Sequence, residues 1–251
     1  MTAALSPEGH RTSATSPRPE RRRRLVGQET YETVFGTVYV GLATNAMLVV
    51  ACLPVLVLLL ATDPTVSWPA LAMLSPLVAP ALVAAFAVFA ALSADGSTTA
   101  VRTFWRAYRR HARRALAIGA TTSAAVVVLA VDVAAVWGAR IGAAAIPVFV
   151  TLIVLTVLTA VVALAAVPEL PGVRLRDLLR TSLYLAVRRW YLSLSALAVL
   201  GLLAGIVATR PAVGLGFVAA PLLFVVWGGC RFALRSVVTD GGPRLASDAA
   251  S

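Results

Sequence analysis

The chain has 251 residues, of which 59% are hydrophobic and only 13% are charged, and its mean hydropathy is +0.87. Charged residues make up roughly a quarter of an ordinary soluble domain, so this composition excludes that class and indicates a protein that crosses a membrane several times. The net charge is +11, and every cationic side chain is an arginine because the sequence contains no lysine. A basic excess can indicate nucleic-acid binding, but apolar runs divide these arginines into separate clusters, which argues against it.

The N-terminal residues 1–34 are rich in Ser, Thr, Pro and Arg and include four consecutive arginines at positions 21–24. A segment of this composition cannot bury enough apolar surface to fold, so we expect a disordered basic tail. The first apolar run lies well inside the chain and is too long for the apolar core of a signal peptide. The two cysteines, Cys52 and Cys230, lie in separate apolar runs and are expected not to pair.

Six apolar runs follow the tail, each close to the ~20 residues that a helix needs to cross about 30 Å of hydrocarbon. They extend over residues 38–61, 68–92, 115–137, 143–167, 191–208 and 212–229. We therefore predict an all-α polytopic membrane protein with six transmembrane helices in residues 35–236 and amphipathic helices in its cytoplasmic loops. Residues 237–251 are expected to form a short cytoplasmic tail.

The placement of the arginines supports this count, since short cytoplasmic loops carry the excess of positive charge. If both termini are cytoplasmic, six arginines fall in the N-terminal tail, six in loop 102–114, five in loop 174–189 and three after the last span. Arg140 and Arg210 remain outside. We expect a multi-pass protein of the cytoplasmic membrane with both termini inside.

The first basic loop contains the sequence TFWRAYRRHARRAL, residues 103–116. On a helix, its aromatic and small side chains share one face and its arginines share the opposite face. This pattern is typical of a helix in the membrane plane, with rings at headgroup depth and each arginine contributing about 1 kcal/mol of attraction to anionic lipid. The candidate residues for membrane-interface contact or partner docking are Arg102, Phe104, Trp105, Arg106, Tyr108, Arg109, Arg110, Arg113 and Arg114.

The second basic loop, residues 174–192, repeats this amphipathic pattern less regularly. Two interpretations stay open for both loops. Each is either a cytoplasmic connector that sets the topology through its charge, or a docking surface that also binds a partner protein.

Two polar residues inside predicted spans are candidates for a functional or structural role. Asp132 is the only acid there, and an intramembrane ionisable residue is by default a functional hypothesis. At 1.5 Å per residue it lies about 27 Å beyond Arg114, near the outer interface, so we favour an anchor that meets water or Arg140 over a proton or substrate site. Asn45 in the first span is expected to hydrogen-bond another helix, a structural contact worth about 0.6 kcal/mol.

Three prolines are expected to bend their helices: Pro54 in the first span, and Pro76 and Pro80 in the second. Each frees a backbone carbonyl that a neighbouring helix or water must satisfy. Broken helices can line the binding site of a transporter, but a single broken helix without a partner favours a kink that shapes packing. In the fifth span, the spacing of Gly201 and Gly205 permits close helix approach.

The sequence offers little chemistry for catalysis. Its histidines are His10 in the tail and His111 in the basic segment, and it contains no Cys/His cluster, phosphate loop or nucleophile motif. We therefore expect a protein that is not an enzyme and that holds no cofactor or metal.

Three features occur in order over residues 30–116. They are TNAMLVVACLPVLVLL with Asn45 and Pro54, SPLVAPALVAAFAVF with Pro80 and Phe86, and TFWRAYRRHARRAL. This order resembles the YesL-like family of small bacterial integral membrane proteins, whose function is unknown. The chain departs from the family pattern because the stretch after Asn45 is aliphatic rather than aromatic and Val55 replaces a frequent Thr.

Members of that family are often encoded beside components of carbohydrate ABC transporters. The resemblance therefore implies a non-enzymatic accessory or scaffold role in carbohydrate transport. The expected partners are anionic lipids of the bilayer and ABC-transporter permease subunits, with no nucleic acid. The alternative is a small-molecule transporter in its own right.

Overall fold

The structure is a computed structural model that describes residues 19–63, 65–96, 99–139, 142–169, 173–188, 190–210 and 213–232. Regular structure in these ranges is helical throughout, with no strand, so the predicted all-α class is confirmed for them. The chain divides into two units, Met1–Gly36 and Thr37–Ser251.

The helices follow one another along the chain with short connections. They are α1 (Pro19–Ala51), α2 (Leu53–Ala61), α3 (Trp68–Leu74), a 3₁₀ turn (Ser75–Leu77), α4 (Val78–Asp95), α5 (Ala100–Val136), α6 (Gly142–Ala166), α7 (Leu175–Arg188), α8 (Trp190–Thr209) and α9 (Gly214–Phe232). The first turn of α9, Gly214–Val218, is π-helical.

α1 begins at Pro19, within the segment 1–34 that the sequence predicts as a basic tail. Residues 19–34 are helical, whereas residues 1–18 and the predicted C-terminal tail at 237–251 lie outside the described residues. Pro19 and Glu20 suit the first turn of a helix because proline lacks an N–H that would be unpaired there, and a carboxylate is favourable near the positive end of the dipole. Arginine, which follows them, is also a good helix former.

Four helices are long and apolar enough to cross a membrane: Trp68–Ala94, Ala100–Val136, Ala144–Ala166 and Gly214–Phe232. The segments Phe35–Ala51 and Leu53–Ala61 make a fifth crossing if they form one broken span rather than a re-entrant loop. The predicted span at 191–208 corresponds to α8, whose apolar segment Leu194–Thr209 is shorter than the others. The described residues thus contain four to five candidate membrane-spanning helices, fewer than the six predicted.

The bend between α1 and α2 measures 66°. The helix breaks at Cys52, and Pro54 lies in the first turn of α2. Proline has no N–H to donate to the carbonyl four residues earlier, and its ring clashes with that carbonyl. Pro54 therefore lies directly beside the break, as expected for a proline that bends a span.

The second predicted span is interrupted at the 3₁₀ turn, which contains Pro76. The helix α5 passes this turn closely at Gly119. A β-carbon added there would lie 3.0 Å from the Pro76 carbonyl oxygen and 2.8 Å from the β-carbon of Ala79. Pro80 follows in the first turn of α4 and is fully buried. These prolines lie where the span changes helix type and packs closely on α5.

The core of the second unit is built around α4, which packs against α5 and α6. Residues 79–89 of α4 are almost all buried, and Phe86 is 1% exposed. The C-terminal part of α6, residues 160–167, is buried as well. Cys52 and Cys230 are both buried and unpaired.

An ion pair joins the segment after α6 to the end of α9. Arg231 Nε lies 3.5 Å from Glu169 Oε1, and the Arg231 guanidinium lies 4.9 Å from the centre of the Trp227 ring. Because Glu169 follows directly after α6, this ion pair places the end of α6 and the end of α9 at the same end of the bundle.

Candidate functional site: the arginine cleft of α5

The basic segment, residues 102–114, is the beginning of α5 rather than a separate helix. α5 runs without a break from Ala100 to Val136 and contains 37 residues. At 1.5 Å per residue it is about 55 Å long, and a hydrocarbon layer is only about 30 Å thick. This differs from the predicted loop helix in the membrane plane, because the apolar helix of the span extends through the basic residues.

The aromatic face of the basic segment is turned into the protein. Phe104 is 0% exposed and Ala107 is 8% exposed, while Trp105 and Tyr108 are half-buried and pack against the same core. The Phe104 ring stacks on the Tyr108 ring at 6.3 Å and meets the Trp105 ring edge-on at 5.9 Å. The interpretation of Phe104 as an interface residue is therefore corrected, because a fully buried ring contacts neither headgroups nor a partner.

The opposite face of the segment forms a shallow cleft of about 810 Å³, which we call the arginine cleft. Its lining residues are Val101, Arg102, Trp105, Arg106, Arg109 and Arg110. All four arginines are exposed. Among the residues that the structure describes, none of these four arginines forms an ion pair; the salt bridge found there joins Arg231 to Glu169. The cleft therefore concentrates positive charge that no described carboxylate neutralises.

The last two arginines of the segment differ from those of the cleft. Arg113 is exposed but does not line the cleft. Arg114 is half-buried, and its Nη2 donates a hydrogen bond to the carbonyl oxygen of Val173 at 3.1 Å. Val173 precedes α7, so Arg114 ties the basic part of α5 to the second basic loop.

The arginine cleft presents side chains of the kind that bind anions. A guanidinium group presents five N–H donors in a planar fork that matches carboxylate or phosphate oxygens. Trp105 adds an aromatic surface beside these groups, on which an incoming arginine or a planar group can stack. In the described part of the chain, no cluster of three or more His, Cys, Asp or Glu side chains is placed to hold a metal ion.

The second basic loop contains a separate helix, α7, which packs into the protein through one face. Leu178, Ser182 and Leu185 are 3%, 1% and 3% exposed. Arg176, Arg180 and Arg188 are exposed on the same helix. Arg188 contacts the ring of Tyr184 at 5.9 Å. α7 therefore presents arginines to the outside, as the start of α5 does.

Asn45 is buried between α1 and α9, with 2% of its surface exposed. Its Nδ2 donates to the Gly216 carbonyl at 3.0 Å, and its Oδ1 accepts a hydrogen bond from the Ala220 N–H at 2.7 Å. The contact that the sequence predicted for Asn45 is thus made to the π-helical start of α9. π-helical turns often occur at functional sites.

Asp132 lies one turn before the end of α5 and is half-buried. Arg140, one of the two partners predicted for it, lies outside the described residues, so this pairing stays a prediction.

Glycine spacing in the sequence pointed to the wrong close contacts. A β-carbon on Gly201 or Gly205 would meet no atom within 4 Å, whereas one on Gly214 would lie 2.8 Å from Val207 Cγ2. Gly119, described above, makes another close approach. The sequence around Gly119 and Gly214 is apolar, which is a weak signal, and the spacing of Gly201 and Gly205 identifies neither position.

Comparison of the chain with protein-family models, with curated proteins and with solved structures finds no match.

Proposed function

We propose that the protein is a non-enzymatic accessory subunit of a carbohydrate ABC transporter and that the arginine cleft docks on an acidic cytoplasmic surface of a permease subunit. The observation that carries this proposal is the row of four exposed arginines on a helix whose opposite face is buried. A helix that is packed against the protein along one face holds the charges of its other face in fixed positions, which favours recognition of a specific partner. The link to carbohydrate transport rests on the sequence resemblance.

The position of the cleft favours protein over lipid as its partner. The apolar part of α5 begins at Ala115. Arg102 lies 13 residues earlier on the same helix, which is about 20 Å along the helix axis. The polar headgroup layer adds only about 5–8 Å on each side of the hydrocarbon. The outer end of the cleft therefore extends beyond the headgroups, where acidic side chains of a neighbouring subunit are the available anions. Anionic lipid remains the partner of the arginines nearest Ala115.

The proposal includes six spans, both termini in the cytoplasm and a bacterial cytoplasmic membrane. Its support is the distribution of arginines between the predicted loops. In addition, α8 contains 20 residues from Trp190 to Thr209, a helical length of about 30 Å, which suits one crossing.

The test uses a photo-crosslinking amino acid in place of Trp105 in cells that produce the full chain. The expected adduct is a carbohydrate ABC permease subunit, joined through a peptide that carries Asp or Glu. Arg109→Glu should reduce this adduct at least about tenfold, since reversing one charge in a close pair costs 1.4 kcal/mol or more. Arg176→Glu is the matched control, because it reverses an exposed arginine of α7 outside the cleft.

Recovery of lipid adducts alone would contradict the docking role and leave the basic segment as a topology signal. Equal losses from Arg109→Glu and Arg176→Glu would show that total charge, rather than the cleft, governs association.

The alternative is a small-molecule transporter, and the contact between one broken helix and a π-helical turn favours it. α1 and α2 bend at Cys52, α9 begins with a π-helical turn, and Asn45 joins the two helices. Substrate sites of many transporters lie where discontinuous helices from two halves meet.

If the protein is a transporter, the purified protein in sealed vesicles should take up at least one sugar from a panel of radiolabelled mono- and disaccharides, and Asp132→Asn should abolish that uptake. If the vesicles take up no sugar while the cross-link to a permease subunit forms normally, the transporter alternative is contradicted and the accessory role stands.

A further inference from the structure

A second cleft lies between α1, α4 and α9 and has a volume of about 530 Å³. It is lined by side chains from residues 37–45, by Phe89 and Leu92, and by side chains from residues 217–225. All of its lining residues are apolar except Thr37 and Asn45. The volume is within the range of about 300–1,000 Å³ that small-molecule sites occupy. We call it the apolar cleft.

The apolar cleft opens sideways, along the flank of helices that are candidates to cross the membrane. Val38, Leu42 and Phe217 line it and are 63%, 53% and 71% exposed. In a bilayer the neighbours of such side chains are hydrocarbon chains. The opening is therefore accessible from within the membrane.

The interior of the apolar cleft is built from groups that are already held in place. The Phe89 and Phe224 rings meet edge-on at 5.4 Å, and the Phe224 ring lies 5.6 Å from that of Trp227. The Asn45 amide is fixed by its two hydrogen bonds to α9. These contacts hold part of the wall in place, which lowers the cost of ordering that part of the cleft when a ligand binds.

We propose that the apolar cleft binds one acyl chain of a membrane phospholipid. The lining part of α1, residues 37–45, has a helical length of about 12 Å, close to the ~15 Å thickness of one leaflet's hydrocarbon. A single extended acyl chain is much narrower than a helix, which is about 10 Å across, so a cleft of about 530 Å³ accommodates one such chain along this length.

Arg231, near the end of α9, offers hydrogen-bond donors to the phosphate of such a lipid, and its charge is balanced by Glu169. Arg231 lies seven residues after Phe224, so the two residues share one helix face. It lies about 10 Å further along the axis, towards the end of the bundle where Glu169 is also found. Arg231 Nε faces Glu169, and the two Nη groups carry four more N–H donors for a phosphate.

The test uses the full chain in vesicles of phosphatidylcholine and phosphatidylglycerol, with a trace of phosphatidylglycerol that carries a diazirine in its acyl chain. After illumination, we expect adducts to concentrate in peptides that contain residues 37–45 and 217–225. Gly41→Leu should lower these adducts by about tenfold, which corresponds to roughly 1.4 kcal/mol of binding free energy. A β-carbon at Gly41 meets no atom within 4 Å, so leucine enters the cleft without a clash from its first carbon.

Gly201→Leu is the matched control, because Gly201 is also helical and open but lies on α8, away from the cleft. It should leave the cleft adducts unchanged. Val38→Trp, at the exposed lip, obstructs the cleft in a second way if Gly41→Leu alters folding. Adducts spread evenly over the helices, equal effects of Gly41→Leu and Gly201→Leu, or protein–protein cross-links through the cleft would overturn the proposal.

Discussion

The Asn45 amide of α1 binds the backbone of α9 at Gly216 and, four residues later, at Ala220. In a regular α-helix the N–H of the later residue donates to the carbonyl of the earlier one. The Asn45 Nδ2 donates to the Gly216 carbonyl at 3.0 Å, and the Asn45 Oδ1 accepts from the Ala220 N–H at 2.7 Å. The amide thus ties α1 to two backbone groups at the π-helical start of α9, in a setting where unpaired backbone groups cost several kcal/mol.

Replacement of Asn45 by leucine should destabilise the protein by about 1–2 kcal/mol, since two interhelical hydrogen bonds of about 0.6 kcal/mol or more are lost. The measurement is the free energy of unfolding in mixed detergent micelles. Thr44→Val is the matched control, because Thr44 is also fully buried but its hydroxyl donates to Val40 in its own helix at 2.7 Å. Equal losses from the two variants would show that Asn45 does not hold α1 to α9.

Gly119→Ala should destabilise the protein by about 1–3 kcal/mol, the usual cost of overpacking a tight contact. The added β-carbon would lie 3.0 Å from the Pro76 carbonyl oxygen, and backbone cannot move aside as a flexible side chain does. Gly201→Ala, where the space is open, should be neutral or stabilise the helix by up to about 1 kcal/mol. Melting temperatures in detergent distinguish the two. A stabilising Gly119→Ala would contradict the close approach of α5 to the 3₁₀ turn.

Phe104→Ala should lower the free energy of unfolding by about 3 kcal/mol or more, since the ring is fully buried and its removal leaves a cavity. Arg109→Ala, on the exposed face of the same helix, should change stability by no more than about 0.5 kcal/mol. Thermal unfolding of the purified variants checks both values. If the Phe104 variant were as stable as the Arg109 variant, the burial of the Phe104 ring would be contradicted.

Single cysteines in a chain whose Cys52 and Cys230 are replaced by serine test the topology. In intact cells, an impermeant maleimide should label Thr65→Cys and Arg210→Cys, whereas Ser13→Cys and Arg176→Cys should react only after permeabilisation. Labelling of Ser13→Cys and Thr65→Cys from the same side would instead make α1 and α2 a re-entrant loop. If Arg210→Cys reacts with the maleimide only after permeabilisation, α8 does not cross the membrane.

The connection between α2 and α3 carries a pH-sensitive contact. Thr65 donates to Asp63 Oδ1 from its hydroxyl at 2.7 Å and from its backbone N–H at 2.9 Å. These bonds lower the pKa of Asp63, the hydroxyl bond having the larger effect. Because the pKa of Asp63 is lowered in the folded protein, the contact stabilises the fold at pH values above the ordinary pKa of aspartate, and this contribution disappears as the pH falls through the pKa of Asp63 in the folded state.

Thr65→Val should raise the pKa of Asp63 towards its ordinary value. The measurement is carbon-13 NMR of the Asp63 carboxyl, and an unchanged pKa would contradict the contact.

The lengths of the apolar runs predicted several helices closely. Runs 68–92 and 143–167 correspond to Trp68–Ala94 and Ala144–Ala166, because an apolar stretch of this length must satisfy its backbone hydrogen bonds internally and does so as a helix. Pro54 and Pro76 lie beside the breaks in their helices, since the missing N–H of proline is a local property. Features that depend on one segment alone are therefore readable from the sequence.

Contacts between distant segments were not readable in this way. Asn45 and Gly216 are separated by 171 positions, and no local pattern indicates that α9 would present a π-helical turn to this amide. The close approaches at Gly119 and Gly214 likewise depend on which helices become neighbours. Glycine is abundant in apolar spans, so its spacing alone does not identify the partner helix.

The sequence by itself determined that this is a helical membrane protein with clustered arginines and an amphipathic basic segment. Only the tertiary structure decided what the aromatic face of that segment contacts. Hydrocarbon chains and a protein core are about equally apolar, so helical periodicity separates polar from apolar faces but cannot tell lipid from protein. The burial of Phe104 turns that face inward and leaves the arginine cleft as the outward surface.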